Sequence, residues 1–296
     1  MWNVSFGLSA ALTTPFDEGG GCAPEIAVRH AQRCLRDGCG SVTLFGTTGE
    51  GASVAAGERT AMLEAFRAAG IDGERLVACV MANAQGDAVV QAAEILGGGA
   101  KGVLLAPPSY FKNLSEEGLL RWFCEVIQAL GAEARGIILY NIPSVTAVEL
   151  PVSLIGALRS AFPGAIAGVK DSSGDWSYTE RLLAAHRDLA ILIGDERSLA
   201  AGIRLGAQGA ISGMANVLPQ RLATLVRTGR DDPALGDLVR AVLRHPVTPA
   251  VKALVAHRTG DEGWIRVRAP LVPTPADARI ELGTLLDGLS PAAAAA

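Results

Sequence analysis

The sequence is short of the residues that bind metals and build disulfides. Five cysteines, Cys22, Cys34, Cys39, Cys79 and Cys124, are scattered through 296 residues with no C-x-x-C pair, and only four histidines accompany them. An odd number of cysteines at such spacing gives neither a disulfide framework nor a zinc ligand set, so a reducing cytoplasm and no metal are expected. Cationic clusters are missing too. A formal net charge of -4, a pI near 5.6 and no Lys/Arg run leave nothing to track a phosphate backbone, which argues against nucleic acid as a partner. No apolar run reaches the length of a membrane span. The start, MWNVSFGLSAALTTPF, has no basic flank and no small-residue cleavage pattern, and it reads as a first strand.

What is present is a pattern. With 49% hydrophobic residues the chain can bury a large core. Short apolar or β-branched runs fall at residues 6–12, 40–45, 76–81, 102–106, 136–141, 166–170, 190–194 and 209–212, which makes eight strands. Amphipathic helical segments lie between them, among others at 24–36, 58–69, 88–96, 115–130, 179–186 and 198–205. Eight alternations within about 230 residues predict a (β/α)8 TIM barrel, an α/β fold whose parallel strands are buried on both faces. Residues 231–290 read as a C-terminal helical extension, and 291–296 as a tail expected to fray. An open doubly wound sheet would share the local pattern, but Phe45-Gly46-Thr47-Thr48-Gly49-Glu50-Gly51 fits neither G-x-G-x-x-G nor a P-loop.

In such a barrel the C-terminal strand ends converge on one mouth, where the chemistry sits. Lys170 closes the apolar run Ala165-Ile166-Ala167-Gly168-Val169. Desolvation there disfavours an unpaired ammonium, and a neutral amine is the nucleophile that carbonyl chemistry requires. Pairing with Asp171 or Asp195 is the plain structural alternative. Tyr140 ends the preceding strand, where its phenol can carry protons beside Lys170 or serve as a core aromatic with a backbone partner. Thr47, Thr48 and Gly49 offer hydroxyls and backbone N–H groups suited to a carboxylate, or else an ordinary strand-to-helix turn. Strand two faces strand six across an eight-stranded barrel, so a small 2-oxo acid can bridge the two.

Together these blocks resemble the dihydrodipicolinate synthase and N-acetylneuraminate lyase family of class I aldolases. GTTGEG at 46–51, YNIPS at 140–144, GVKDSSGD at 168–175, GDE at 194–196 and GAISGMANV at 209–217 occur in the family's order, and the resemblance runs from about Val4 to about Pro219. It implies that Lys170 forms a Schiff base, that Tyr140 shuttles protons, and that Thr47 with Thr48 holds a pyruvate carboxylate. It also implies a homotetramer in which a neighbour's tyrosine completes a proton relay; Tyr110 is the candidate, with Phe111 the other residue that can occupy that position.

The sequence departs from the synthases where they resemble YNVPxRT. Here Val145 replaces the arginine that binds the second substrate's carboxylate. That points away from aspartate semialdehyde and toward sugar-acid aldolases. Asp195 and Glu196 can accept hydrogen bonds from a polyol or be solvated loop charges, and Ser144, Ser172 and Ser212 are further polar candidates. The expected reaction is cleavage or condensation of a hydroxylated 2-oxo acid, giving pyruvate and an aldehyde. The imine serves as electron sink, so no cofactor is expected. A sugar-acid dehydratase, a synthase aided by a cation from elsewhere, a neuraminate lyase and a non-catalytic binding barrel are the alternatives.

Overall fold

A computed structural model describes residues 6–289. Eight strands, β1 (Gly7–Ala11), β2 (Ser41–Leu44), β3 (Leu76–Val80), β4 (Gly102–Leu105), β5 (Ile137–Asn141), β6 (Ile166–Asp171), β7 (Ala190–Ile193) and β8 (Gly209–Ser212), close in sequence order into one barrel. Every pair is parallel, including β1 with β8. This is the expected TIM barrel, with each strand inside or within a residue of its predicted run.

Helices α1 (Pro24–Arg36), α2 (Ala56–Ala68), α3 (Gln85–Gly97), α4 (Glu116–Leu130), α5 (Pro143–Thr146), α6 (Val152–Ala161), α7 (Trp176–Ala185), α8 (Glu196–Arg204) and α9 (Pro219–Thr228) follow the strands. Several begin earlier than periodicity suggests, because caps set the starts. Asp175 accepts from Ser177 N at 2.9 Å and opens α7, and Asp195 accepts from Arg197 N at 3.0 Å and opens α8. At α2 the Glu58 side chain reaches back to Ala55 N at 3.0 Å.

The core has two shells. Val77, Cys79, Leu104, Ile138, Leu192 and Ile211 fill the barrel interior, and a larger apolar layer separates the barrel from its helices. The extension supplies α10 (Pro233–Val242), α11 (Val247–Thr259) and α12 (Ala276–Asp287). In α11 every residue from Thr248 to Ala256 is buried, so this helix is packed on all sides. The frayed-tail expectation and the Val4 end of the resemblance fall outside the described residues.

No described helix is long and apolar enough to cross a membrane, and the five cysteines are unpaired.

Candidate active site

A cavity of about 500 Å³ opens at the C-terminal ends of the strands, lined by Thr47, Thr48, Tyr140, Val145, Lys170 and Glu196 among others. That size suits a small organic ligand. Lys170 and Tyr140 are register partners on β6 and β5 and point into the same space. Lys170 Nζ donates to Tyr140 Oη at 3.2 Å and lies 4.3 Å from the ring centroid. Tyr140 Oη is 3.4 Å from Thr47 Oγ1, which links the three side chains in a row.

The structural ion-pair alternative for Lys170 is not what the chain adopts. Asp171 accepts instead from Asn141 Nδ2 at 3.0 Å, Ser173 N at 3.0 Å and Thr179 Oγ1 at 2.6 Å. Asp195 is engaged bidentately by Arg197, with Nε at 3.0 Å and Nη2 at 2.7 Å. A nearly buried amine with a phenol as its hydrogen-bond partner is placed to attack a carbonyl carbon and to exchange protons locally.

The turn after β2 is held from within. Gly49 N and Gly51 N donate to Gly46 O at 3.0 and 3.1 Å, and Glu50 N donates to Thr47 O at 3.1 Å. Gly51 is obligatory, since a Cβ there would lie 1.7 Å from Phe45 O. Thr47 N and Thr48 N make no hydrogen bond within the described residues, and with the two hydroxyls they can hold a carboxylate. Gly49 is a correction to the expected binding set. Its N–H is spent on Gly46, its carbonyl accepts from Thr14 Oγ1 at 2.6 Å, and it does not line the cavity. A Cβ at Gly49 would lie 2.7 Å from Leu12 O, so the residue packs the turn rather than facing a ligand.

Glu50 adopts a left-handed φ of 51°, which a non-glycine residue keeps only when its surroundings hold it. Its carboxylate accepts from Lys252 Nζ at 2.7 Å and from Arg268 N at 3.0 Å, and both side chains of the Glu50–Lys252 pair are fully buried. One turn earlier on α11, Thr248 Oγ1 donates to Thr47 O at 2.9 Å. The C-terminal extension therefore grips the turn at two points.

On the other wall, Val145 lines the cavity from α5, and Ser144 and Ser172 contribute hydroxyls. Asp195 and Glu196 also line it, but not as open acceptors. Asp195 is tied to Arg197, while Glu196 Oε1 accepts from Ser212 Oγ at 2.6 Å and Met214 N at 3.2 Å. Burial pushes the Glu196 carboxyl above the usual carboxylate range, opposed by those hydrogen bonds. Ser212 is a second correction, because its hydroxyl is turned onto Glu196 and the residue is absent from the lining. Tyr110 lies outside the cavity of its own chain. It is 76% exposed on the stretch after β4, edge-on to Phe111, also exposed, at 5.3 Å, with its N–H on Asn83 Oδ1 at 2.9 Å.

Three features were not anticipated: Arg197 in the lining, Thr248 on the turn, and an apolar wall from Val239, Val242, Leu243, Val247 and Leu271. None belongs to a recognisable motif. Only the Asp-Glu-Arg run at the start of α8 carries a sequence signal for any of them.

The sequence matches the Dihydrodipicolinate synthetase family over residues 5–288. It is 33% identical over 277 residues to a DapA-like lyase of Chloroflexus aurantiacus, covering 90% of this chain and 91% of that one. It is 31% identical over 271 residues to 4-hydroxy-tetrahydrodipicolinate synthase 1 of Streptomyces coelicolor, covering 91% and 85%. Among solved structures, a dihydrodipicolinate synthase from Agrobacterium tumefaciens str. C58 is similar with a TM-score of 0.95 and 56% identity, covering 97% of this chain and 100% of that one.

Proposed function

The chain belongs to the dihydrodipicolinate synthetase family of class I lyases and aldolases, and from that premise we propose that Lys170 forms an imine with the ketone of a hydroxylated 2-oxo acid. The observation that carries this reading is the row Lys170 Nζ, Tyr140 Oη and Thr47 Oγ1, at 3.2 and 3.4 Å, in the cavity at the barrel mouth.

In this reading the substrate carboxylate rests on Thr47 and Thr48 while the Lys170 amine attacks carbon two. Tyr140 gives a proton to the carbinolamine oxygen, which leaves as water, and the iminium remains. Breaking the bond between carbons three and four sends its electron pair into the iminium and yields an enamine. Tyr140 takes the proton of the carbon-four hydroxyl as the aldehyde forms. Protonation of carbon three and hydrolysis then free pyruvate and Lys170. The imine is itself the electron sink, so the chemistry calls for no metal or organic cofactor.

The remainder of the substrate lies between the Ser144 and Ser172 hydroxyls and the apolar wall. Val145 supplies no cation for a second carboxylate, which favours a hydroxylated chain over aspartate semialdehyde. The synthase reading has one observation in its favour, namely that Arg197 brings a cation into the same cavity. The barrel over 1–230 and the helical segment over 231–290 act here as one catalytic unit, through Thr248 and Lys252. We assign the protein to the cytoplasm, and to a homotetramer in which the exposed Tyr110 and Phe111 meet a neighbouring subunit.

Incubation with pyruvate and borohydride, read by intact mass, tests the mechanism. A pyruvate-sized adduct on the wild type and none on Lys170→Ala is expected. No adduct on either protein overturns the imine.

A further inference from the structure

Among the residues lining the cavity, Lys170 and Arg197 are the cations. Lys170 is level with Leu192 on β7, whereas Arg197 lies beyond the end of that strand, so the two charges sit at the floor and toward the mouth. Asp195 holds Nε and Nη2 of Arg197 and thereby fixes the plane of the guanidinium. Nη1 makes no hydrogen bond or ion pair within the described residues, and the side chain is 38% exposed.

The placement has an electrostatic cost. Arg197 is in the first turn of α8, where the helix dipole favours anions and disfavours a cation. Asp195 offsets that cost while leaving one edge of the fork unspent. Next to it, the Glu196 carboxylate is turned onto Ser212 Oγ at 2.6 Å and Met214 N at 3.2 Å. A guanidinium with its plane fixed and one edge free is suited to a carboxylate.

We propose that Arg197 binds a second carboxylate at the far end of the substrate, so that the 2-oxo acid is a dianion held at both ends. This rests on the imine reading, since the first carboxylate is the one that Thr47 and Thr48 take. It names a different side chain and a different wall from the missing arginine at Val145.

The test compares three six-carbon probes that differ only at the far end: 2-oxoadipate, 6-hydroxy-2-oxohexanoate and 2-oxohexanoate. The concentration for half-maximal borohydride trapping is measured for each, on the wild type, Arg197→Met and Arg197→Lys, with pyruvate as control. The expected result is half-saturation by 2-oxoadipate at about tenfold lower concentration than either neutral probe, as one charge-assisted contact allows. Arg197→Met brings the ratio to about one, and Arg197→Lys keeps part of the gap because it retains charge without the fork. Adducts with no preference for 2-oxoadipate, a preference for the hydroxyl-ended probe, or a gap that survives in Arg197→Met would each overturn the assignment while leaving the imine standing. No adduct with pyruvate or any probe would sink the imine and this inference with it.

Discussion

Tyr140 and Lys170 face each other because β6 carries one extra residue. Ile137 pairs with Ile166 but Ile138 pairs with Gly168, so Ala167 is left without a partner and every later residue of β6 is advanced by one. Without that bulge Tyr140 would stand beside Val169, and Lys170 would point outward among the helices. Gly168 makes the shift possible, since a Cβ there would lie 2.4 Å from Ala190 O.

Deleting Ala167 removes only the unpaired residue and leaves Gly168, Val169 and Lys170 opposite Ile138, Leu139 and Tyr140, so imine formation should survive it. Inserting one alanine between Gly168 and Val169 should instead put Val169 opposite Tyr140 and turn Lys170 into the apolar outer shell, abolishing imine formation at a cost of about 3 kcal/mol or more. Pyruvate trapping and urea denaturation measure the two effects. An insertion variant that traps pyruvate at the wild-type rate would show that the register of β6 does not set the position of the amine.

Tyr140→Phe isolates the hydroxyl, because the ring stays in its buried place. Proton transfer by a positioned group is worth roughly 10²–10⁴-fold, and kcat should fall within that range while the melting temperature barely moves. Imine trapping with pyruvate should slow as well, since carbinolamine dehydration uses the same proton. A near wild-type rate would remove Tyr140 from the reaction.

The barrel was legible because its strands are short apolar runs bounded by Gly and polar residues, and because Lys170 is the reactive group that closes one of them. The errors have a common cause. Sequence gives the residue at a strand end but not which neighbour its polar atoms choose, so Ser212 and Asp195 read as open to substrate although Glu196 and Arg197 hold them. Gly49 read as a binding N–H because nothing in a Gly-Thr-Thr-Gly string tells an inward N–H from one spent on the turn. The Ala167 bulge leaves no mark in an apolar run. Lys252 sits in a helix buried all round, where periodicity is weak and a lysine looks like a surface residue.

Lys252→Met should be among the most damaging single changes outside the cavity. It leaves the fully buried Glu50 carboxylate without its cation, which typically costs about 3–5 kcal/mol. The double variant Glu50→Gln/Lys252→Met removes both charges and should recover a large part of that loss. Because Thr248 and Lys252 together hold the turn that carries Thr47 and Thr48, the single variant should also raise KM for the 2-oxo acid more than it lowers kcat. Equal losses in single and double variants by urea denaturation would show that the charge pair is not what holds the turn.

His30 sets an acid limit on the fold. Its Nε2 faces Asn216 Oδ1 at 2.8 Å and its Nδ1 faces Arg33 Nη2 at 2.9 Å. Asn216 Nδ2 already donates to Ala11 O and Gly213 O, so Oδ1 is the acceptor and His30 is the neutral Nε2–H tautomer, with Nδ1 accepting from Arg33. Burial, reinforced by the Arg33 charge, lowers its pKa from 6.5 to about 4. Above about pH 6.5 the imidazole is neutral in both folded and unfolded chains and costs nothing. As pH falls from there toward 4 the unfolded chain takes up a proton that the folded chain refuses, so stability is lost, by about 3 kcal/mol over the window. His30→Gln, which cannot be protonated but can still donate to Asn216, should be less stable than wild type near neutral pH and should close that gap by about the same 3 kcal/mol at pH 4. Urea midpoints at several pH values decide the matter: parallel curves for the two proteins would mean that His30 does not titrate with folding.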